Sequence, residues 1–502
     1  MGDGHLNVGD VVRVARAGAT VQLADIARTR VEAARTTVLR LAQSTQPIYG
    51  VNTALGANTG ARIPAADINA YQERAVEARA VGVGTPFPVD VVRAIMLARI
   101  AGMAMGGSGV SPAVLDAFVA LLNSGVRPVV PGRGSIGCAD LPSLSHLALV
   151  LIGKGFAELD GEVIPGGEAL ATAGLVPATL GVKDGLALIS ANAGSVGHAA
   201  LVIADCASAL DALNVAAALS FEGFRANTSP LDPRVHAAHP HPGQMRIAAR
   251  LRTLLAGSAL WMPGAARRVQ DPLSLRCITQ VHGAALGALS RARDAVELEL
   301  NSASESPLVL ADDEAMLSNG NFHPAALALD MDAVGLGLAA TAMLCVQRCQ
   351  RLYSPAMSGL PLQLTRRGPE HSGFATLQKT LSTLYAELRH LANPASLDCL
   401  PVSEAIEDHA SMAPSVIAKT AAMVPSLHYL AAIELVSAAQ AVDLRETPLD
   451  TLGAGARSAY DAVRRHVRTL DHDRSLGPDV ERIARLIREG GIDTVDLLVA
   501  AS

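Results

Sequence analysis

Asp184-Gly185-Leu186-Ala187-Leu188-Ile189-Ser190 opens an Ala- and Leu-rich stretch that runs to about Ser220, and four more of the same kind follow at 275–300, 325–352, 372–392 and 414–444. Ala and Leu are strong helix formers, and stretches this long are too long for strands. Turn-forming segments such as Pro230-Leu231-Asp232-Pro233 and Pro240-His241-Pro242-Gly243 separate them. Helices apolar this far round cannot all lie on the surface of a monomer. They predict a central bundle, and an oligomer that buries their outer faces. The tail from Ala459 to Ala500 reads as a more charged pair of helices.

Upstream of Asp184 the pattern is mixed. Helical periodicity alternates with Gly and Pro punctuation at Gly106-Gly107-Ser108-Gly109, Pro131-Gly132 and Pro165-Gly166-Gly167. Short strands are expected near Val126 to Val130 and around Val163-Ile164. The expected division is therefore 1–183, a mixed N-terminal domain, and 184–502, a helical bundle ending in charged helices. The composition agrees: 50% of the 502 residues are hydrophobic and 3% aromatic, which favours helix on helix over an all-β fold. The formal charge of −6, with arginines scattered among acids, predicts no nucleic-acid surface. Arg267-Arg268 and Arg366-Arg367 read as solvated faces or local anion contacts. Cys138, Cys206, Cys277, Cys345, Cys349 and Cys399 lack zinc-site spacing, and Cys345 and Cys349 read as buried thiols one helical turn apart. No basic, then apolar, leader opens the chain, and Val334 to Val346 reads as too short and Gly-rich for a bilayer, so a cytoplasmic protein without a membrane partner is expected.

Seven motifs stand in order along the chain: Ile48-Tyr49-Gly50-Val51-Asn52-Thr53; Gly134-Ser135-Ile136-Gly137-Cys138-Ala139-Asp140-Leu141 with Leu144 and His146; Asp184-Gly185-Leu186-Ala187-Leu188; Pro240-His241-Pro242-Gly243-Gln244; Gln270-Asp271-Pro272-Leu273-Ser274-Leu275-Arg276-Cys277; Gly320-Asn321-Phe322-His323; and Glu407-Asp408-His409-Ala410-Ser411-Met412. Together they resemble the histidine and aromatic amino acid ammonia-lyases and aminomutases over nearly the whole chain. The Gly-Ser-Ser-x-Met-Pro-x-Lys loop of the fumarase and argininosuccinate-lyase superfamily is absent. The resemblance implies a mainly α fold, a homotetramer with active sites built from more than one subunit, and a lyase reaction.

Eliminating an amine across two carbons needs a base for the barely acidic β-hydrogen and help for a poor leaving group. The resemblance places Tyr49 as the base on a mobile loop. A tyrosine titrates near 10 in water, so it needs positive charge or helix N-termini around it to work at neutral pH. Arg276 matches the arginine that grips the substrate carboxylate through two parallel charge-assisted bonds. Gln270 and Phe322 match positions that orient the substrate and pack its side chain. Glu407 matches a residue that contacts the amine or relays protons, although an acid there could equally cap a following helix. No metal ligand set is expected.

The departures lie around the family's self-made electrophile. There Ala-Ser-Gly cyclises to a methylidene-imidazolone ring, whereas here only Cys138 and Ala139 stand between Gly137 and Asp140. One alignment puts Gly137, Cys138 and Ala139 on the triad, with cysteine losing hydrogen sulfide where serine loses water. The alanine methyl then crowds a tight turn that favours glycine. In the other alignment the triad is one residue short and no ring forms. Nearby positions also differ: Ser190 falls on the family's ring-contacting Asn, Leu273 on its pocket Tyr and Arg79 on its pocket His. Asn192, about 200° further round a helix, is expected to face elsewhere. With no external cofactor, the expectation is elimination of a C–N bond from a small anionic, carboxylate-bearing substrate without a normal ring. The alternatives are another elimination or proton transfer on an anionic molecule, or a silent ligand-binding or partner subunit. Cys138 is either a nucleophile of lowered pKa near helix N-termini or a small buried packing group.

Overall fold

A computed structural model describes residues 1–58 and 60–498, and its architecture is mainly helical. The chain forms two compact units that differ from the expected split at 183/184. The first comprises 1–204, 292–329 and 394–418; the second comprises 205–291, 330–393 and 419–502. The physical reason is the length of four helices, Ala193–Phe224, Ile278–Leu300, Ala325–Tyr353 and Ala413–Leu444, each of which supplies residues to both units.

In the first unit, helix Val89–Ala104 is the core element, buried along nearly its whole length. It packs against Val8–Arg16, Asp25–Ala42 and Pro112–Asn123. The expected strands form: Arg127–Pro128, Phe156–Leu159 and Glu162–Pro165 make a small antiparallel sheet. Two charged groups are buried on purpose-built partners. Arg99 donates to Glu305 at 2.9 Å and to the Ala187 carbonyl at 3.1 Å, and Lys183 donates to the Ser108 carbonyl at 2.6 Å. Burial pushes the Lys183 ammonium down to about 8.

The second unit is helix on helix. Helices Pro242–Leu254 and Ile278–Leu300 approach so closely at Gly243 and Gly283 that a Cβ on Gly243 would meet the Gly283 carbonyl oxygen at 2.1 Å. The Pro240–Gln244 motif therefore serves a helix crossing here. Cys345 and Cys349 are buried free thiols, as the spacing predicts. The charged tail forms Ala454–His466 and Gly477–Arg488; Ala500, its expected end, lies outside the described residues.

Several expectations are corrected. The stretch from 184 is two helices, because Asp184–Ile189 ends at Ser190 and Ala193–Phe224 begins after Asn192. The helical-wheel argument separating Ser190 from Asn192 therefore does not apply. Val334 to Val346 lies inside the 29-residue helix Ala325–Tyr353. That helix, Ala413–Leu444 and the run Asp184–Phe224 are long and apolar enough to cross a membrane by length and composition. Arg267 is not a solvated group: its Nε and Nη2 are buried, and its guanidinium lies 5.8 Å from the Phe224 ring centre.

Candidate active site

The segment Gly134–Asp140 is held from both ends. At its start the Ile136 carbonyl accepts from Met412 N at 2.9 Å, and the Gly137 carbonyl accepts from Ser411 Oγ at 2.9 Å. At its end Asp140 N donates to the Ala191 carbonyl at 2.7 Å. The Asp140 carboxylate is buried and accepts from Ser195 N at 2.6 Å, in the first turn of Ala193–Phe224, and from Ser135 Oγ at 2.7 Å. A helix start offers unspent N–H groups and positive potential, which suits this carboxylate. Desolvation nevertheless raises its pKa against those hydrogen bonds.

Two residues bridge these anchors. Gly137 has φ +74°, and a Cβ there would meet Ser411 Oγ at 2.3 Å, so glycine is required. Ala139 has φ +51°, the left-handed region, yet carries a methyl group and is buried. Cys138 and Ala139 line a pocket of about 250 Å³ together with Arg79 and Glu407. The Cys138 thiol is pushed up to about 11 by desolvation and then by the Glu407 and Cys399 charges. The lowered pKa considered for a nucleophile is thus not found; the thiol is neutral at neutral pH.

Glu407 does not cap a helix. It sits in a loop paired with Val402, with Val402 N donating to the Glu407 carbonyl at 3.0 Å, and the next helix begins at Ala413. Arg79 follows helix Ile68–Glu77 and donates through Nη1 to the Ala75 carbonyl at 3.0 Å. Tyr49 packs against Leu55, Ala75 and Leu186, and its phenol oxygen accepts from Gly56 N at 3.3 Å. Asn52 fixes the Tyr49 loop, accepting from Ile48 N at 2.7 Å and donating to the Gln46 carbonyl at 2.9 Å. Ser190 Oγ donates to the Ser306 carbonyl at 3.2 Å, and Asn192 donates to Glu299 at 2.7 Å. Phe322 is half-buried; its neighbour His323 stacks on His409 with ring nitrogens 3.0 Å apart, joining the loop of Phe322 to that of Glu407.

The remaining sequence-expected residues belong to the second unit. Arg276 closes the single turn Leu273–Arg276, and its Nη1 donates to Gln270 Oε1 at 2.8 Å. Leu273 is exposed. Sequence reasoning missed three supporting groups: Ser411, Ser195 and the His323–His409 pair. Ser411, His323 and His409 lay inside recognised motifs, but nothing in one sequence gives their partners.

The fold and this constellation define a helical carbon–nitrogen lyase of the ammonia-lyase type. Residues 6–465 match the family model described as aromatic amino acid lyase. The chain is 39% identical over 494 residues to a histidine ammonia-lyase of Treponema denticola, covering 98% of this chain and 97% of that one. It is 40% identical over 487 residues to a histidine ammonia-lyase of Myxococcus xanthus, covering 97% and 96%. Among solved structures, it matches the ergothioneine-degrading enzyme ergothionase of Treponema denticola, in complex with desmethyl-ergothioneine sulfonic acid, with a TM-score of 0.95 at 31% identity over 98% of this chain and 99% of that one. It matches the tyrosine aminomutase of Streptomyces globisporus with a TM-score of 0.92 at 33% identity over 97% and 96%. The chain belongs to the aromatic amino acid lyase family, which includes the histidine ammonia-lyases.

Proposed function

We propose that this enzyme eliminates a C–N bond from a small carboxylate without a self-made ring, and that the amine departs as a neutral tertiary amine from a quaternary ammonium. One observation carries this reading. Between the anchored Gly137 carbonyl and the anchored Asp140 N–H stand two residues where the ring-forming triad has three, and the second of them, Ala139, holds a glycine conformation with a side chain. Ring closure through these residues needs the Ala139 nitrogen to attack the Gly137 carbonyl, with the methyl already crowding the turn. Ser190, at the position of the ring-contacting Asn, has its hydroxyl directed to the Ser306 carbonyl. The residues present do not fit the ring.

Without an electrophile to capture it, a primary amine leaves poorly. A quaternary ammonium needs no capture. Ergothioneine carries a carboxylate and a trimethylammonium on one carbon, and the likeness to ergothionase supports a substrate of this class. The pocket sets a neutral Cys138 thiol and the Glu407 carboxylate, opposite in charge to Arg79, on one lining, and the thiol and carboxylate are the groups that would meet a methylated cation. In the step proposed, the Tyr49 phenolate, accepting from Gly56 N, takes the β-proton to become the phenol, and the C–H electron pair becomes the Cα=Cβ bond. The C–N pair leaves with trimethylamine, and Arg276 holds the carboxylate throughout. Gln270 orients Arg276 in the second unit, and Phe322 supplies apolar wall in the first. Exposed apolar side chains on the long helices (Leu298, Leu329 and Leu336), and Val269 and Leu273 beside the carboxylate turn, support a homotetramer.

Intact mass spectrometry and amine release test the proposal together. The expected result is the unmodified translated mass, with trimethylamine released from ergothioneine and no ammonia from histidine. A mass lower by water plus hydrogen sulfide, or ammonia released from histidine, overturns it.

A further inference from the structure

The turn that presents Arg276 is short and poorly self-supported. Leu275 N and Arg276 N donate to the Pro272 carbonyl at 3.0 and 3.1 Å, and Cys277 N donates to the Leu273 carbonyl at 2.8 Å. The ladder then breaks at Cys277, which has φ −103° and ψ 18°, before helix Ile278–Leu300 begins. The Ser274 carbonyl falls at that break. A buried carbonyl outside a helical ladder needs another donor. The donor is Arg348, whose Nη1 lies 3.3 Å from the Ser274 oxygen.

Arg348 is 1% exposed and comes from the C-terminal part of Ala325–Tyr353. Its other two donors form a fork onto Glu434, which is 0% exposed: Nε to Oε1 at 2.6 Å and Nη2 to Oε2 at 2.8 Å. Ser220 Oγ donates to the same Oε1 at 2.7 Å, which locks the carboxylate. Burying such a pair is costly, and apolar side chains of similar volume commonly stabilise a core as well or better. Stability therefore does not account for it. What an apolar replacement cannot supply is a rigid donor delivered to the Ser274 carbonyl, two residues before Arg276.

We infer that Arg348, locked by Glu434 and Ser220, is a positioning residue that sets the pitch of the Leu273–Arg276 turn and so aims the carboxylate-binding guanidinium. This rests on the reading of Arg276 as the carboxylate anchor. Arg348 touches no substrate; it acts through the backbone of the turn.

The test compares KM for ergothioneine with KM for its methyl ester, which lacks the carboxylate charge. Arg348→Lys keeps the charge but cannot fork onto Glu434 and reach Ser274 at once. It is expected to raise KM for ergothioneine about tenfold, with KM for the ester within about twofold and kcat within about threefold. On an Arg276→Ala background it adds nothing further, since the two act through one contact. If Arg348→Lys does not fold, Ser220→Ala loosens the lock more gently and carries the same signature at about two- to threefold. An equal rise for acid and ester, or a rise that adds fully to that of Arg276→Ala, overturns the inference. An ergothioneine KM that Arg276→Ala raises and the lock variants leave untouched overturns it alone. A KM that Arg276→Ala leaves unchanged overturns the anchor itself and the inference with it.

Discussion

The segment Gly134–Asp140 and the stretch Gln270–Arg276 are both well braced, but the proposed reading gives them opposite roles. The first is anchored at both ends, and on the proposed ring-free reading its middle is the part that no longer reacts. Asp140 is seated on the start of Ala193–Phe224, and Ser411 holds the Gly137 carbonyl, with only Cys138 and Ala139 between Gly137 and Asp140. In the second, the residue read as the carboxylate anchor stands with its supports: Gln270 accepts from Arg276, and Arg348, held by Glu434, donates to the Ser274 carbonyl of the same turn. The difference teaches that the groups holding a catalytic segment are separable from the group that reacts.

The largest effect expected is therefore an asymmetry between the two regions. Arg276→Ala removes a charge-assisted, two-pronged grip and should raise KM for ergothioneine about 100-fold, roughly 2.7 kcal/mol. Cys138→Ala removes a neutral thiol and should change kcat/KM by less than about threefold. Steady-state kinetics on the two variants decides it. The reverse order, with Cys138→Ala abolishing turnover and Arg276→Ala nearly silent, would break the comparison outright.

How far this was legible depends on where each decision is made. The long helices are written locally, in Ala- and Leu-rich runs, and the sequence reading finds them within a few residues. The break at Ser190–Asn192 is not local. Ser-Ala-Asn is compatible with a helix, but the Ala191 carbonyl accepts from Asp140 N, and the Asp140 carboxylate takes Ser195 N 55 residues on, so a contact distant in sequence splits the helix. The Glu407 loop is similar. Ser403, Glu404 and Ala405 all have positive φ without a glycine among them, which no propensity rule anticipates. The site residues were legible as types at motif positions, because charge and hydrogen-bonding capacity belong to the residue. Their states were not. Cys138 was open between thiolate and packing group until burial and the Glu407 carboxylate were placed around it.

That state gives the next prediction. A thiol with a pKa of about 11 should react with iodoacetamide at a rate that climbs about tenfold per pH unit up to that value. An ordinary cysteine levels off near 9. The sign follows from the raised pKa: the folded chain holds this proton more tightly than the unfolded one. Its contribution to stability is full below the unfolded value and is lost as pH rises toward about 11. Peptide mapping after timed alkylation reports Cys138 separately from the buried Cys206, Cys345 and Cys349. Glu407→Gln should move the profile to lower pH by removing a nearby negative charge. A plateau below pH 8 would mean a thiolate in the pocket and would reopen the nucleophile reading.

The smallest effect tests the same segment from its backbone. Ala139 pays a left-handed penalty of about 1–2 kcal/mol, which glycine does not, although glycine gives back roughly 0.5–1 kcal/mol through the freedom of its unfolded chain. Ala139→Gly should therefore stabilise the protein slightly, by about 0.5–1 kcal/mol, read as a rise of a degree or so in the unfolding midpoint. Turnover of ergothioneine should not change. The substitution discriminates because it restores the residue type that ring closure favours: if Gly137, Cys138 and residue 139 did cyclise, removing the methyl would complete the process. Mass spectrometry would then find a lighter chain and ammonia would appear from histidine. A more stable variant of unchanged mass and unchanged kinetics would instead mean that the methyl strains the turn without controlling any chemistry, which is what the ring-free reading expects.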